Sequence, residues 1–436
     1  MKSLRKNLDL ILITVLAITP LILWYFMMPI TGRLSSSGMI FRSLGQIMGL
    51  LGMALLSINF ILAARFKFLD KLFNGLNRVY IKHHVIGAIA FCLLLFHPTF
   101  LIIQYLYISL KASFLFIFSA QDLAINLGKL GLLVFIVLMV ITFYLNFKYE
   151  NWKNTHKYLG VVLFLGSLHM LLVPSDISNN AILKYYMLGL VIIGAYSYFY
   201  RTIWGAYKKG EYRYKLEKII RENDEVVELE LSPLARKIKF KPGQFVFLRF
   251  ENNGILSESH PFSITSSLHS ENLSLGIKSL GDYTSMVYLL KPGAICRIEG
   301  PFGAFSYLKA KSKRQIWIAG GIGITPFLSM ARQVNSDKTN KDYKINLFYI
   351  TKNEDEMAFK EELVEISKQN YNLKFHQYFS ETEGRISADF IYKNIDYIQD
   401  VEIFLCGPVG FMHSLKEQFI KLNFDNNKIY SEEFSL

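Results

Sequence analysis

Cysteine is scarce in this chain, and its few cysteines form no recognisable pattern. The 436 residues include three, Cys92, Cys296 and Cys406, which lie far apart and make no CxxC pair. We therefore expect neither a disulfide framework nor a zinc or iron–sulfur site built on cysteine ligands. Loops with the spacing of EF-hand ligands are also missing, so no built-in calcium switch is expected.

Charged residues are also few: they make up 19% of the chain, against 52% hydrophobic residues. This balance is too apolar for an ordinary soluble protein and favours helices in a lipid bilayer. The net charge of +13 could indicate nucleic-acid binding, but no Lys/Arg-rich helix or nucleic-acid motif accompanies it. Basic loops beside membrane spans explain the charge better, so we expect a bilayer and no nucleic acid as partner.

Long apolar runs fill residues 1 to about 205. A run of about 20 apolar residues is needed to cross about 30 Å of hydrocarbon as a helix. The first run is too long for a signal peptide and lacks a small-residue cleavage site, so we expect it to be retained as a helix. Six membrane helices are predicted, near residues 8–28, 38–64, 80–108, 128–149, 156–174 and 181–203.

The loops between these helices differ in their content of basic residues. Basic residues cluster at the N-terminus, after helices 2 and 4 and beyond helix 6, whereas the opposite loops have few. Because basic loops stay in the cytoplasm, we expect a multi-pass protein of the cell membrane with both termini cytoplasmic. The residues that carry this prediction are Lys2, Arg5, Lys6, Arg65, Lys67, Lys71, Arg78, Lys82, Lys148, Lys153, Lys157, Arg201, Lys208 and Lys209.

A different pattern begins near residue 211. Short alternating strands such as EVVELELSP and GQFVFLRF are separated by Gly and Pro. From about residue 311, the strand-like segments IWIAGG and INLFYI alternate with helical stretches, which predicts a parallel sheet. The predicted fold is a multidomain membrane protein with a six-helix domain 1–210, a strand-rich domain 211–310 and an α/β domain 311–436.

Four histidines inside the predicted membrane helices form a regular pattern. His83 and His97 are 14 residues apart on helix 3, so a rotation of about 1400° brings them to nearly one face at a rise of about 21 Å. His156 and His169 are 13 residues apart on helix 5. Both helices run outward, which pairs His83 with His156 at an inner level and His97 with His169 at an outer level. This arrangement suits two stacked haems with two histidine ligands each.

Other interpretations of these histidines stay open at this point. Ionisable groups inside a membrane are costly and usually functional, but a single histidine near a helix end is often interfacial. The 13-residue spacing falls about 140° short of four turns, so helix 5 must be distorted, kinked or oblique. His84 is a rival to His83, although the 14-residue spacing to His97 gives His83 the better angular match.

The stretches HHVIGAIAFCLLLFH (83–97) and HKYLGVVLFLGSLH (156–169) resemble the ferric reductase and NADPH oxidase superfamily. In both, a glycine stands four residues after the first histidine, at Gly87 and Gly160, as it does in that family. The resemblance implies that the four histidines are axial ligands of two b-type haems. It also implies that the strand-rich domain is an FAD-binding β-barrel and that the α/β domain binds NAD(P)H, as in ferredoxin–NADP reductase-like proteins.

The segment HPFSITSS (260–267) resembles the flavin-binding strand of that fold. The resemblance places His260 near the FAD phosphates, Phe262 against the isoalloxazine and Ser263 near its reactive nitrogen, with Pro261 in the same motif. Histidine replaces the arginine of soluble reductases here. Taken alone, HPFS could be an ordinary strand after a turn.

The segment GIKSLGDYTSM (276–286) supports the same flavin site. Gly281 begins a turn that leads into a helix, and Thr284 lies in the first turn of that helix. Free backbone N–H groups at such a turn can hold a pyrophosphate, aided by the helix dipole and by Lys278.

The segment IWIAGGIGITPFLSM (316–330) has the clearest nucleotide-binding pattern in the second half of the chain. A buried strand leads into a glycine turn and then a helix, so that phosphates can approach the backbone at the helix N-terminus. The residues of this motif that we expect to bind the dinucleotide are Gly320, Gly321, Gly323, Thr325 and Pro326.

A second strand-to-turn element, FLCGPVGFM (404–412), follows downstream. The resemblance places it beside the nicotinamide, with Cys406 near the carbon that gives up the hydride and with Gly407 and Pro408 in the turn. A buried cysteine is more often inert packing, and only its place in the CGP sequence indicates a catalytic role.

The choice of nicotinamide rests on weaker signals. Lys352 follows the strand INLFYIT, and Ser380 and Arg385 stand in YFSETEGR, which favours the 2′-phosphate of NADPH. Glu354 and Asp355 lie close by, so NADH stays open. The C-terminal SEEFSL resembles the family's ending, where an aromatic side chain covers the flavin, and Phe434 would take that role.

Together these motifs predict an oxidoreductase of the NAD(P)H oxidase or ferric-chelate reductase type. Electrons from cytoplasmic NAD(P)H would pass through FAD and two haems to an acceptor outside the cell. Oxygen, giving superoxide, and ferric chelates are equally open as acceptors, and residues 109–127 are predicted to cover the outer site. The alternatives are a non-catalytic membrane haem sensor, an electron-transfer subunit of a larger complex and a transporter with an accessory domain. Regulatory or homo-oligomeric partners are also left open.

Overall fold

The structure, a computed structural model, describes residues 8–119, 121–145, 147, 149–204, 212–251, 254–337, 342–395 and 399–432. The contacts within the chain divide it into two compact units. One unit contains the N-terminal helices. The other contains two β-sheets with their helices, together with the short stretch Asn74–Asn77.

The N-terminal unit is helical, as predicted. In the described part of the chain, six helices are long and apolar enough to cross a membrane. Their segments are α1 (Leu8–Tyr25), α2 (Ser37–Ala63), α3 (Leu76–Leu106), α4 (Leu123–Tyr144), α5 (Tyr149–Lys157) with α6 (Leu159–Leu172), and α7 (Ala181–Tyr198), which continues as a π-helix (Phe199–Trp204). Shorter helices lie between them at Ile30–Arg33, Lys67–Leu72, Leu110–Phe118 and Asp176–Asn179.

Polar N-cap residues stand at the start of three of the described membrane helices, and for α7 the Asn180 side chain accepts a hydrogen bond of 2.9 Å from the Leu183 N–H. The Ser36 side chain accepts a hydrogen bond of 3.2 Å from the Met39 N–H at the start of α2. The Asp122 carboxylate accepts one of 3.0 Å from the Ile125 N–H at the start of α4. Such caps satisfy N–H groups that have no partner within the helix. Helix α4 therefore begins about one turn before the apolar run that predicted it.

The fifth membrane segment is interrupted at Tyr158, between α5 and α6. At this point the Tyr158 N–H bonds to the Thr155 carbonyl at 3.0 Å and the Val161 N–H to the Tyr158 carbonyl at 2.9 Å. These bonds span three residues and wind the chain more tightly than an α-helix does. The extra rotation reduces the angular shortfall between the two histidines of this segment, and the predicted distortion is confirmed.

The second unit begins with a curled antiparallel sheet of six strands in the order β4-β3-β6-β1-β2-β5. Its inward side chains alternate with outward ones, as on β6, and they form one apolar core. A short helix, α8 (Asp282–Val287), covers part of that core. The strands are β1 (Tyr212–Arg221), β2 (Val226–Pro233), β3 (Phe245–Phe250), β4 (His260–Ser263), β5 (Leu273–Lys278) and β6 (Ile295–Phe302).

A parallel sheet of five strands follows, in the order β11-β10-β7-β8-β9. The central strands are buried on both faces: Ile316 and Ile318 belong to one apolar core, and Trp317 and Ala319 to the other. Such burial is typical of a parallel sheet covered by helices on both sides. The predicted fold class is confirmed in both halves of the chain.

The elements of this parallel domain alternate along the chain as the sequence predicts. The strands are β7 (Arg314–Gly320), β8 (Lys344–Thr351), β9 (Leu373–Phe379), β10 (Val401–Cys406) and β11 (Ile429–Glu432). The helices are α9 (Ile324–Ser336), α10 (Lys360–Gln369), α11 (Ala388–Lys393) and α12 (Val409–Lys421), with one further turn at Ser380–Glu383.

Candidate functional site

The four membrane histidines meet in two pairs. The ring centroids of His83 and His156 are 6.2 Å apart, with an angle of 67° between the ring planes. Those of His97 and His169 are 6.3 Å apart, with an angle of 66°. We keep the names inner pair and outer pair for them, after the predicted orientation. Each pair joins α3 to the fifth membrane segment, as the spacing predicts.

The separation within each pair fits a metal bound between the two rings. An imidazole nitrogen binds a metal ion at about 2 Å, so two opposed ligands place their ring centroids roughly 6 Å apart. Both observed separations match this value. The donor set, two imidazoles at each level, is one that haem iron can use. The residues present therefore fit a haem at each level.

Hydrogen bonds fix the ring orientation of three of the four histidines. The Nδ1 atoms of His97 and His169 lie 2.7 Å from the Gly45 carbonyl oxygen and 2.8 Å from the Ala124 carbonyl oxygen. The Nδ1 of His83 lies 3.2 Å from a third carbonyl, that of Asn59. Because a carbonyl can only accept, each Nδ1 carries the hydrogen, and Nε2 keeps its lone pair for a metal.

His156 is held in another way. Its ring stacks on Trp152 with centroids 5.1 Å apart and an angle of 25°. Its Nδ1 is buried and has no hydrogen-bond partner among the described residues. His84, the rival to His83, is exposed and lies 5.7 Å from His83 between ring centroids. The arrangement of the rings thus supports His83 as the ligand.

A cavity of about 610 Å³ adjoins the outer pair. Its lining includes the two histidines and the hydrophobic residues Phe116 and Ile117. The charged residues of the lining are Arg42, Lys129, Asp122 and Asp176. The two hydrophobic residues belong to the helix at Leu110–Phe118, within the segment that was predicted to cover the outer site. The cavity gives the outer site room for a large planar group, with charged side chains of both signs at its wall.

The predicted flavin strand is β4, paired with β3 in the antiparallel sheet. His260 lies opposite Leu248, and Ser263 opposite Phe245. Pro261 stands between them in the register, and the Ser263 side chain is buried. The His260 Nε2 lies 3.0 Å from Glu258 Oε2, so the histidine has an acidic neighbour beside the predicted phosphate-binding position.

An aromatic residue that the sequence analysis did not select joins this site. Tyr283, in the first turn of α8, has its ring centroid 4.0 Å from that of His260 and 6.0 Å from that of Phe262. Burial is the main reason that the pKa of Tyr283 is raised above its ordinary value. Its place beside Thr284 in the GDYTSM stretch is the signal that the sequence offers for it.

The predicted pyrophosphate turn has partners within the protein. The Thr284 hydroxyl accepts hydrogen bonds from the N–H groups of Leu280 and Gly281, at 2.8 and 3.0 Å. The Lys278 ammonium forms a 2.9 Å ion pair with Glu225. A phosphate at this turn would have to share these groups with Thr284 and Glu225.

The glycine turn and the CGP turn of the parallel domain pack directly on each other. A Cβ built on Gly323 would lie 2.3 Å from the Cys406 carbonyl oxygen, and one on Gly407 would lie 3.1 Å from the Gly320 backbone. The two turns meet because β7 and β10 are neighbours in the sheet, with Cys406 opposite Ala319. The structure thus brings together two motifs that lie far apart in the sequence.

The glycine turn has an open backbone where a dinucleotide is expected. Gly321 has a φ of +53°, and a Cβ on it would meet no atom within 4 Å. Thr325 and Pro326, in the first turn of α9, are buried, and the Thr325 hydroxyl donates to the Ile322 carbonyl at 2.9 Å. Gly321 is therefore the part of the motif that is free to approach a phosphate.

The Cys406 side chain is fully buried at the end of β10. Burial, with a further contribution from the Glu432 carboxylate, raises the pKa of the thiol well above its ordinary value. The thiol is therefore neutral at physiological pH and is not a nucleophile. Pro408, next to the turn, is the N-cap residue of α12.

The residues predicted to select NADPH lie at one edge of the parallel sheet. Lys352 follows β8 and Ser380 follows β9, and these neighbouring strands end together with Thr351 opposite Phe379. The Ser380 hydroxyl donates to the Thr351 carbonyl at 3.1 Å. Lys352 and Arg385 are exposed, and Phe434 lies outside the described residues.

Comparison with known proteins gives three family matches in sequence order. Residues 48–167 match the ferric reductase like transmembrane component, residues 211–306 an FAD-binding domain and residues 317–417 an oxidoreductase NAD-binding domain. FAD- and NAD(P)-binding domains are therefore present in the second half of the chain.

Two curated relatives come from Dictyostelium discoideum. Flavohemoprotein A is 31% identical over 147 residues, which is 33% of this chain and 36% of that protein. A superoxide-generating NADPH oxidase heavy chain of the same organism is 30% identical over 220 residues, which is 44% of this chain and 29% of that protein. The matched part thus spans about a third of the length of these relatives.

Among solved structures, flavohemoglobin from Malassezia yamatoensis is similar, with a TM-score of 0.52 and 16% sequence identity. The similarity covers 92% of this chain and 98% of that protein. At this identity it concerns the fold alone.

The fold and the matched domains define a multi-pass membrane protein joined to a flavin- and nicotinamide-binding module. More particularly, the three domain matches in this order, with the NADPH oxidase heavy chains among the relatives, match the ferric reductase and NADPH oxidase superfamily.

Proposed function

We propose that this protein transfers electrons from cytoplasmic NAD(P)H, through FAD and two b-type haems, to an acceptor on the other side of the membrane. Both termini are cytoplasmic in this proposal, and the domains are 1–210 for the membrane part, 211–310 for FAD and 311–436 for NAD(P)H. The observation that carries the proposal is the pairing of four histidines at two levels, each pair with a separation suited to a haem.

In this proposal the cofactors carry the electrons, and the side chains of the protein hold and orient the cofactors. A bound flavin takes two electrons at once and releases them singly, which haem iron requires. In the proposal, His83 and His156 hold the inner haem and His97 and His169 the outer one. Carbonyl groups on α2 and α4 orient three of these rings, which strengthens the imidazoles as ligands and fixes their direction.

Residues of the two C-terminal domains bind and align FAD and NAD(P)H. His260, Phe262 and Ser263 face the flavin in this proposal, and Pro261 fixes the backbone between them. The glycine turn, with Gly321 open, approaches the nicotinamide dinucleotide. The adjoining CGP turn with Cys406 lines the nicotinamide side, where a neutral thiol adds no charge beside the reacting ring.

The acceptor is oxygen, giving superoxide, or a ferric chelate. The cavity beside the outer pair supports either, because it offers access near both histidines. An experiment has to decide between the two.

The test is anaerobic reduction of the purified, FAD- and haem-loaded full chain by NADPH, followed at the haem absorption bands. We expect the haems to be reduced, and then to be reoxidised on addition of either oxygen or a ferric chelate, whichever is the acceptor. NADPH consumption with haems that stay oxidised would contradict the transmembrane path. Fewer than two haems per chain would contradict the two-haem part.

The orientation needs a second measurement. In sealed vesicles, NADPH added to the face that exposes the C-terminal domains should reduce the haems. The product of the acceptor, superoxide or a ferrous chelate, should then form on the opposite face. Formation of that product on the NADPH side alone would contradict the proposed direction.

A further inference from the structure

One face of α9 attaches the nicotinamide-binding domain to the flavin-binding domain. The Ser329 hydroxyl donates to the Ser266 carbonyl at 2.7 Å, and Arg332 Nη1 donates to the Thr265 carbonyl at 3.2 Å. The Gln333 side chain accepts a hydrogen bond of 2.8 Å from the Leu268 N–H. Because positions three and four apart share a helix face, the three side chains act on one short segment.

This attachment joins the two elements that are proposed to carry the cofactors. Helix α9 begins directly after the glycine turn, at Ile324. The segment that it contacts, residues 265–268, follows β4 at once, and β4 is the proposed flavin strand. A displacement of α9 along this segment would therefore move the nicotinamide-binding turn relative to the flavin strand.

Arg332 is the centre of the attachment. Its Nη1 and Nη2 lie 2.6 and 3.1 Å from the two carboxylate oxygens of Glu228 on β2. Its Nε and Nη2 lie 2.7 and 2.6 Å from those of Glu362 on α10. Two bidentate pairs of this kind fix the guanidinium in position and in plane.

The Glu228 carboxylate is the buried part of this cluster, with only 4% of the residue exposed. A buried carboxylate needs a cation and hydrogen bonds, and here it has the Arg332 guanidinium and the Thr265 hydroxyl. Thr265 is thus linked to Arg332 twice: its carbonyl accepts a hydrogen bond from the guanidinium, and its hydroxyl donates to the Glu228 carboxylate that Arg332 also binds. The cluster ties β2, the segment after β4, α9 and α10 together.

We propose that Arg332 is a positioning residue for hydride transfer: its ion pairs to Glu228 and Glu362 and its hydrogen bond to Thr265 set the position of the nicotinamide-binding turn relative to the flavin strand. This inference rests on the NAD(P)H-to-FAD part of the proposed function. In that step a C–H bond of NAD(P)H breaks and its hydride passes to FAD, so that NAD(P)⁺ and two-electron-reduced flavin result without a further reactant.

The rate of flavin reduction per bound FAD distinguishes this role from simple stabilisation. A residue that only stabilises the fold changes how much protein binds FAD, whereas a positioning residue changes the rate for each FAD that is bound. Hydride transfer is sensitive to placement, and a displacement of about 1 Å can slow a reaction by about 100-fold.

The test uses the full-length, FAD-loaded protein and anaerobic stopped-flow reduction by saturating NADPH, with rates expressed per bound FAD. For Arg332→Gln we expect the rate of flavin reduction to fall on the order of 10- to 100-fold, with a smaller change in the KM for NADPH. Arg332→Lys should recover part of the rate, since it keeps the charge without the forked geometry. The absorbance of the nicotinamide–flavin charge-transfer complex should fall in parallel.

The matched control is Arg314→Gln, at the exposed start of β7 in the same domain, where the guanidinium contacts the Gln399 carbonyl. It should keep the wild-type rate. If Arg332→Gln cannot be obtained with FAD, Glu362→Gln decides, because it leaves the Glu228 pair intact and should still slow reduction several-fold.

Two outcomes would overturn the inference in different ways. Wild-type protein that binds FAD but is not reduced by NADPH would overturn the proposed function and the inference with it. If NADPH reduces the wild-type protein and Arg332→Gln shows the same rate per bound FAD, the inference alone is overturned. Where Glu362→Gln decides instead, an unchanged rate in that variant has the same meaning.

Discussion

The imidazole of His97 rests on the backbone of Gly49, so that a Cβ on this glycine would lie 2.8 Å from the ring's Nδ1. Gly128 has the same relation to His169, with a distance of 2.7 Å. In both cases the ring's Nδ1 bonds to the carbonyl one helical turn earlier. The outer pair is thus held by two copies of one arrangement, a glycine beneath the ring and a carbonyl for its N–H.

The first prediction concerns these two glycines. Gly49→Ala or Gly128→Ala should displace the outer histidine and lower the haem content from two per chain towards one. Overpacking of this kind costs about 1–3 kcal/mol, and neither backbone can move without moving its helix. Haem extraction and quantification per chain provide the measurement.

The control for this pair is Gly189→Ala on α7, where an added Cβ would meet no atom within 4 Å. That variant should keep its full haem content. Full haem content and an unchanged spectrum in Gly49→Ala would show that the glycine does not support the ligand.

The second prediction separates two neighbouring histidines. His83→Ala should lose the inner haem, because its ring faces His156 and its Nδ1 is held by the Asn59 carbonyl. His84→Ala should keep two haems per chain, because its side chain is exposed. The opposite result in haem quantification would assign the ligand to His84.

The third prediction concerns the contact between the two nucleotide-binding turns. Gly323→Ala would place a Cβ 2.3 Å from the Cys406 carbonyl oxygen, so one turn must move. We expect a raised KM for NADPH and slower flavin reduction, with haem content unchanged. Gly410→Ala on α12, where a Cβ meets no atom within 4 Å, is the control. Equal kinetics in both variants would remove the role assigned to the contact.

The fourth prediction is a pH dependence of stability at Glu222. Burial, with the negative charges of Glu228 and Glu362, raises the pKa of this carboxyl from its ordinary value of 4.5 to about 7. The Phe359 N–H and the Arg332 cation act in the opposite direction, and the Tyr349 hydroxyl lies near the same carboxyl. Between pH 4.5 and 7 the folded state therefore holds a proton that the unfolded state has lost.

It follows that the contribution of Glu222 to the free energy of unfolding is fully present below pH 4.5 and is lost as the pH rises to about 7. Glu222→Gln should remove this decline, leaving a more stable module above pH 7. The temperature of FAD release, measured across this pH range, reports the effect. Glu361→Gln, at an exposed position of α10, should retain the wild-type slope. A parallel pH profile in Glu222→Gln would contradict the assignment.

The sequence by itself determined the six membrane helices, the order of the domains and the histidines as a set of four. Each of these follows from a local sequence pattern: the length of an apolar run, the alternation of strands and helices, or a spacing along one helix. The distortion of the fifth segment was also predicted, because 13 residues do not complete four turns. Only the place of the distortion, at Tyr158, came from the structure.

Tertiary structure alone decided which distant residues support the site. Gly49 meets His97 across two helices, Tyr283 packs on His260 and Phe262, and Arg332 pairs with Glu228 over 104 positions of sequence. No local pattern marks such partners, because a glycine, a tyrosine or an arginine is favourable in many surroundings. Their roles arise when packing removes water and brings the groups within contact distance, and that depends on the whole chain.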